Sequence, residues 1–200
     1  MSTVISAFFH AIRYAVIALI AIGSASFVFA YTTKLYPVAL VDNSPVWMKT
    51  WEQAVSASES YTNFERGTRG ERALDFSFSE NAGVAARIKR DALTFLIEDK
   101  IIVSHGPLIV DGFGSEVGER IDKILKESSQ DPKAIARDVY GLDYEEYRRI
   151  ILLPQARRIV LAERIRGRSR TMDEWLFEQK IRTPIKLYFI PFTWNGKTVE

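Results

Sequence analysis

The run from Tyr140 to Ile165, YGLDYEEYRRIILLPQARRIVLAERI, packs a helix stop, a helix start and an internal proline into one stretch. Gly141 supplies the residue without a Cβ that a helix C-terminus favours. Asp143 starts a new helix, and Glu146 three positions on completes a capping box in which Asp stands for the usual Ser or Thr. Tyr144, Tyr147 and Ile151 recur at helical spacing and form one apolar face, with Glu145, Arg148 and Arg149 off it. Pro154 has no N–H to give and crowds the carbonyl four residues back, so it must bend the helix or reset its register. Beyond it, Ala156, Ile159 and Val160 continue an apolar stripe beside Arg157, Arg158 and Arg164. The stretch therefore demands a helical domain in which a broken amphipathic helix is packed on both sides of its break.

Two hundred residues suit one domain plus an appendage, and a hydrophobic content of 47% is ample for a core. The formal net charge of +2 gives no global pull towards nucleic acid, which is not expected as a partner. The chain has no cysteine, so disulfides, thiolate nucleophiles and sulfur-ligated metals are excluded. Its two histidines, His10 and His105, sit in different contexts and cannot form a shared site. The sequence thus supplies no catalytic residues, no metal ligands and no cofactor-binding motif.

From Tyr14 to Thr33 the chain reads YAVIALIAIGSASFVFAYTT, without a charge, between Arg13 and Lys34. Its length matches a hydrocarbon core of ~30 Å at ~1.5 Å per residue. Tyr14, Tyr31 and Tyr36 fall near the two interfaces, where amphipathic aromatic rings collect. Gly23, Ser24, Ala25 and Ser26 form a small-residue patch suited to close packing on another membrane helix. Residues 1–35 read as an uncleaved signal anchor in the lipid bilayer. The competing reading is a cleaved signal peptide with Ala25 or Ala30 before the cut. The economical topology is a single pass of the inner (cytoplasmic) membrane with the C-terminal domain on the extracytoplasmic, periplasmic side.

Residues 36–195 form the domain. Tyr36–Val41 is a short β-like run, followed by the turn cluster Asp42-Asn43-Ser44. Ser44 is expected to cap a helix with Pro45 at its first position. Trp47, Trp51, Ala54 and Val55 would give that helix an apolar face with two tryptophans. Residues 63–79 are polar and read as an exposed connection around Gly67 and Gly70. A long helix follows over 80–103, with Val84, Ile88, Ala92, Phe95 and Leu96 as its buried stripe. Gly106, Pro107, Gly112 and Gly114 break it. Ser115 is expected to cap the next helix, and Asp131 another with Pro132 at its first position. Thr171 and Glu174 form a second capping box, opening a helix with Trp175, Leu176 and Ile181 on its packed side. Ile185–Ile190 alternates as a strand and should pair with Val38–Val41, because an isolated strand leaves backbone groups unpaired. The expected fold is mostly α: one transmembrane helix, then five or six helices with a two-stranded β element.

This order of elements resembles the N-terminal chaperone region of the SurA and PrsA type of extracytoplasmic foldase, and more loosely the substrate-binding helices of trigger factor. Four stretches carry the likeness: Val38–Val55 (VALVDNSPVWMKTWEQAV), Arg87–Ile102 (RIKRDALTFLIEDKII), Ser115–Leu125 (SEVGERIDKIL) and Tyr140–Ile165. The closing WLFEQKIRTPIKLYF fits the helix and strand that leave the family's domain. Asp42-Asn43 replaces the family's Asn-Gly turn, and residues 104–114 form a Gly/Pro-rich break where the family has a compact helix end. Foldases of this kind continue into a parvulin isomerase domain, whose histidines and Cys or Asp around a proline pocket have no counterpart here. The resemblance implies a polypeptide-binding module without the isomerase.

Two function classes follow. A membrane-anchored holdase would bind unfolded or newly exported polypeptide in an apolar cleft with a polar rim; Trp47, Trp51, Phe95, Tyr144 and Tyr147 are its candidate binding residues. A structural or adaptor subunit would instead dock a membrane-protein partner, using the basic run Arg157, Arg158, Arg164, Arg166, Arg168 and Arg170. A charge run of this kind is usually a solvated helix face, and that reading is preferred here. An enzyme is disfavoured: Glu145-Glu146 and Asp173-Glu174 are helix-start charges, and no nucleophile and base are paired.

Overall fold

The computed structural model describes residues 31–167 and 170–200, together with Leu19, Ile20, Ser24 and Phe29. Contacts divide the chain into two units, Met1–Tyr36 and Pro37–Glu200. In the first, the Thr32 and Thr33 hydroxyls donate to the Phe29 carbonyl, and the Tyr31 and Tyr36 rings stack at 6.1 Å. Most of the Tyr14–Thr33 segment lies outside the described residues. Among the described residues no helix is long and apolar enough to cross a membrane.

The second unit opens with a hairpin. Asp42 and Asn43 take φ of 46° and 63°, the double left-handed geometry of a two-residue type I′ turn, which Asn and Asp tolerate. Strand β1 (Pro37–Val41) turns back through it into β2 (Ser44–Trp47), with Val41 opposite Ser44. Ser44 and Pro45 are therefore strand residues, not a helix cap. The tight turn commits them to the ladder, and β2 is an edge strand, where a proline without an N–H is tolerated. Strand β3 (Ile185–Leu187) pairs with β1 on its other side, Ala39 facing Leu187 and Val41 facing Ile185. The expected pairing of the two runs is present. The element has three strands rather than two, in the order β2-β1-β3, because the chain after the turn adds a strand.

The rest of the unit is helical: α1 (Met48–Thr68), α2 (Ala82–His105), α3 (Phe113–Glu127) and α4 (Pro132–Tyr140). Then come α5 (Tyr144–Tyr147), a π turn (Arg148–Leu152), α6 (Leu153–Arg166) and α7 (Met172–Arg182). Helix α1 runs through Thr68, so the exposed connection is shorter than its polar sequence suggests. Gly112, at φ 68°, precedes α3, and Ser115 lies inside that helix. Asp131 caps α4 through the Lys133 amide, and both capping boxes are present. Helix α2 is the central element: it packs on α1, α6, α7 and the sheet, and Leu93, Ile97 and Ile101 are wholly buried. On α7, Trp175 and Leu176 are buried but Ile181 is 60% exposed. On α6, Ala156, Val160, Leu161 and Ile165 are inside and leave Ile159 on the outer side.

The two tryptophans part company at the start of α1. Trp51 is 6% exposed, donates its indole N–H to the Lys89 carbonyl at 3.0 Å, and meets Phe192 edge-on at 6.3 Å. Trp47, in the strand residue before the helix, is 42% exposed. Phe192 belongs to a C-terminal strap in which Trp194 bridges Val199 and the Val199 amide donates to the Thr94 hydroxyl. Trp51→Ala is expected to cost about 3–5 kcal/mol, the range for emptying a core aromatic site, and Trp47→Ala about 1 kcal/mol or less. Urea unfolding of the two variants checks this, and equal losses would contradict the assignment.

Candidate functional site

An open groove of about 670 Å³ lies between α1, α2, the end of α4 and the π turn. Its walls are built by local rules. Gly141, at φ 64°, ends α4: its own amide donates to the Arg137 carbonyl and that of Leu142 to the Ala136 carbonyl. The bond from Gly141 to the carbonyl four residues back is that of an αL helix stop. A Cβ at Gly141 would stand 2.9 Å from the Ser60 hydroxyl on α1, so the turn also lets α4 approach α1. Asp143 then restarts the chain as α5, accepting from the Glu146 amide at 2.8 Å. The stop and restart bring the Tyr140 and Tyr147 rings to 5.3 Å, and Tyr61 from α1 stacks on Tyr140 at 5.6 Å.

Opposite this aromatic ladder, α2 contributes Ile88 and Phe95 as apolar wall and Arg87 and Asp91 as charged rim. Ile151 and Gln155 come from the far side of the register break. That break is a π turn, in which the Leu153 amide donates to the Arg148 carbonyl, one residue further back than in an α-helix. Pro154, which cannot donate to either Arg149 or Ile150, follows directly; the extra residue resets the register as its ring requires. Burial, and then the neighbouring phenols, push Tyr140 and Tyr147 above the ordinary tyrosine value. The groove therefore offers neutral aromatic faces and phenol hydroxyls beside one cation and one anion. Among the described residues no His, Cys, Asp and Glu group could hold a metal ion.

Of the residues singled out from sequence, Phe95 lines the groove and Tyr147 backs its aromatic wall. Tyr144 is half-buried and lies outside the groove lining, because α5 turns only Tyr147 inward. Trp51 is core. Trp47 lines a second cleft, between β2, α2 and the π turn. Tyr61 and Tyr140, the most direct aromatic walls, are not among those residues. The spacing Ala54, Ala57, Tyr61 continues the inner face of α1, and extending that stripe past Val55 would have found Tyr61.

The basic run is largely neutralised within the unit. Arg157 donates to both carboxylate oxygens of Asp99 at 2.8 and 3.0 Å. Arg158 bridges Glu98 at 2.7 Å and Asp173 at 3.1 Å, and Lys180 reaches Glu98 at 2.5 Å. Arg164 meets Glu116 at 2.6 Å, and Arg170 meets Glu178. The run is thus the counterpart of acids on α2, α3 and α7, not an open basic patch. Arg168 lies outside the described residues.

Compared with protein-family models, with curated proteins and with solved structures, the chain matches none.

Burial raises the Asp99 carboxyl above the usual carboxylate range, with the Arg157 charge and hydrogen bonds pulling it part of the way back. The folded state then holds this proton more tightly than the unfolded chain. The stabilisation from protonated Asp99 is complete below the ordinary carboxylate value and is lost as pH rises through the raised one. Arg157→Gln is expected to move the Asp99 midpoint higher still. A carbon-detected NMR titration checks both, and a wild-type midpoint at or below the ordinary value would contradict the burial argument.

Proposed function

We propose that the chain is a membrane-anchored, chaperone-like holdase that binds unfolded or newly exported polypeptide on the extracytoplasmic side. The groove carries this reading: an open aromatic channel with Ile88, Ile151 and Phe95 on its apolar sides and Arg87 and Asp91 at its edge. An extended chain can lay side chains on Tyr61 and Phe95 while the rim stays hydrated, and such contacts tolerate many sequences. The family resemblance along residues 37–190 points the same way. The adaptor reading loses its main motivation, since four arginines of its basic run are already paired inside the unit.

The unit Pro37–Glu200 contains every buried core residue of the described chain and is the piece to assay. At near-stoichiometric ratio it should suppress aggregation of several unrelated, chemically unfolded proteins, followed by light scattering. Tyr61→Ala, at a half-exposed position, should weaken suppression roughly threefold to tenfold, the worth of one aromatic contact. Prolyl isomerisation in a peptide assay should stay uncatalysed, because its barrier of ~20 kcal/mol needs a shaped proline pocket. A folded, monodisperse unit that leaves every client's aggregation unchanged would end the holdase reading. Co-purification with one defined membrane protein would then favour an adaptor.

A further inference from the structure

Trp47, excluded from the core and from the groove, lines a separate cleft of about 260 Å³ between β2, α2 and the π turn. Leu96, Ile150 and Pro154 give it an apolar lining, and four charged groups complete it: Asp99, Lys100, Arg149 and Arg157. Asp99 and Arg157 are spent on each other. Lys100 and Arg149 form no ion pair among the described residues. Arg149 instead donates to the neutral Gln53 side-chain carbonyl at 2.8 Å. The acid nearest in the same network, Glu146, is committed elsewhere: one oxygen accepts from the Gln53 amide and the other from the Asp143 backbone N–H. With one carboxylate against three cations, the cleft therefore keeps an excess of positive charge at Lys100 and Arg149, neither in a direct ion pair, beside a half-exposed indole.

We propose that this cleft is a carboxylate-reading subsite for bound polypeptide, a step that rests on the polypeptide-binding reading above. A carboxylate, from an acidic side chain or a free C-terminus, is held between Lys100 and Arg149, and the adjoining apolar side chain lies on the Trp47 ring. Arginine offers a planar fork that fits a carboxylate, and lysine a second charge. A volume of about 260 Å³ accepts one or two residues and not a folded surface. An anionic lipid surface would need these cations on a flat face, whereas here they flank a concave apolar lining.

The test uses the full chain in nanodiscs of zwitterionic lipid and one labelled Leu- and Phe-containing peptide, read by fluorescence anisotropy. The peptide is made with a free C-terminal carboxylate, amidated, or amidated with one internal Glu. At least one carboxylate form should bind about tenfold tighter than the neutral amide, the worth of a single charge-assisted hydrogen bond. Which form gains identifies the source of the carboxylate. Lys100→Gln with Arg149→Gln should abolish the gain and leave the neutral peptide's affinity unchanged, while Lys100→Arg should retain it. Tyr61→Ala should weaken all three forms alike.

Equal affinity of all three forms would overturn the subsite alone and leave the groove standing. So would a gain that survives the double variant. Loss of phosphatidylglycerol-vesicle binding in the double variant, with the peptide preference intact, would assign the cations to a membrane and likewise overturn it. Failure of every form to bind would remove the subsite and the polypeptide-binding reading together.

Discussion

Two carboxylates on the most buried helix set the terms for everything packed around it. Helix α2 sinks Leu93, Ile97 and Ile101 completely, and Glu98 and Asp99, one residue further round, are left at 14% side-chain exposure. Carboxylates at that depth cost several kcal/mol each unless opposed by charge and hydrogen bonds. Arg157 and Arg158 on α6 and Lys180 on α7 provide both. Interdigitated apolar side chains already oppose a slide of α6 on α2. The bidentate contact between Arg157 and Asp99 adds to this, because a shift of one residue would leave both charges buried and unopposed. The ion pairs thus act chiefly on register, and the apolar stripe supplies the stabilisation.

Register matters because α6 is reached through a turn that breaks helical phase. Pro154 cannot occupy a regular α-helical position without losing a hydrogen bond and pressing on the carbonyl of Ile150. The π turn inserts the needed residue before it. Upstream, Ile150 and Leu152 go inside and Ile151 reaches the groove; downstream, Ala156 and Val160 go inside while Gln155 joins Ile151. One broken helix therefore supplies a wall of the groove and the partners of α2. Gly141 performs the matching task at the other end, bringing Tyr140 close to Tyr61.

The elements legible from sequence were those specified locally. Asp131, Asp143 and Thr171 caps and the Gly141 stop depend on neighbours a few positions away, and all appear. Of the α2 stripe Ile88, Ala92 and Leu96 are buried, Val84 and Phe95 are half-buried, and the deepest residues are Leu93, Ile97 and Ile101. The pairing of β1 with β3 was reached by elimination, since an orphan strand is costly. What failed was decided by competition between local signals. Ser44-Pro45 is a good helix start, but Asp42-Asn43 is a better hairpin turn, and the turn wins because it pairs a strand as well. Ile159 and Ile181 show that an apolar residue at helical spacing does not fix which face is packed. The groove was half visible: Phe95 and Tyr147 follow from helical faces, whereas Tyr61 and Tyr140 meet only through the Gly141 turn. The C-terminal strap, with Phe192 on Trp51, had no local signal.

The groove's openness has an energetic consequence on the proposed reading. A stacked ring contributes about 0.5–1.5 kcal/mol beyond its burial, and micromolar binding requires about 8 kcal/mol after ordering costs are met. No single side chain lodged against Tyr61 can supply that. Several apolar residues of one extended segment must engage together, which a folded protein does not present and an unfolded one does. Selectivity for the unfolded state then needs no sequence recognition in the groove. Discrimination among clients then falls to polar features, Arg87 and Asp91 at the groove's own rim and the unpaired cations beside Trp47 on the same helical frame.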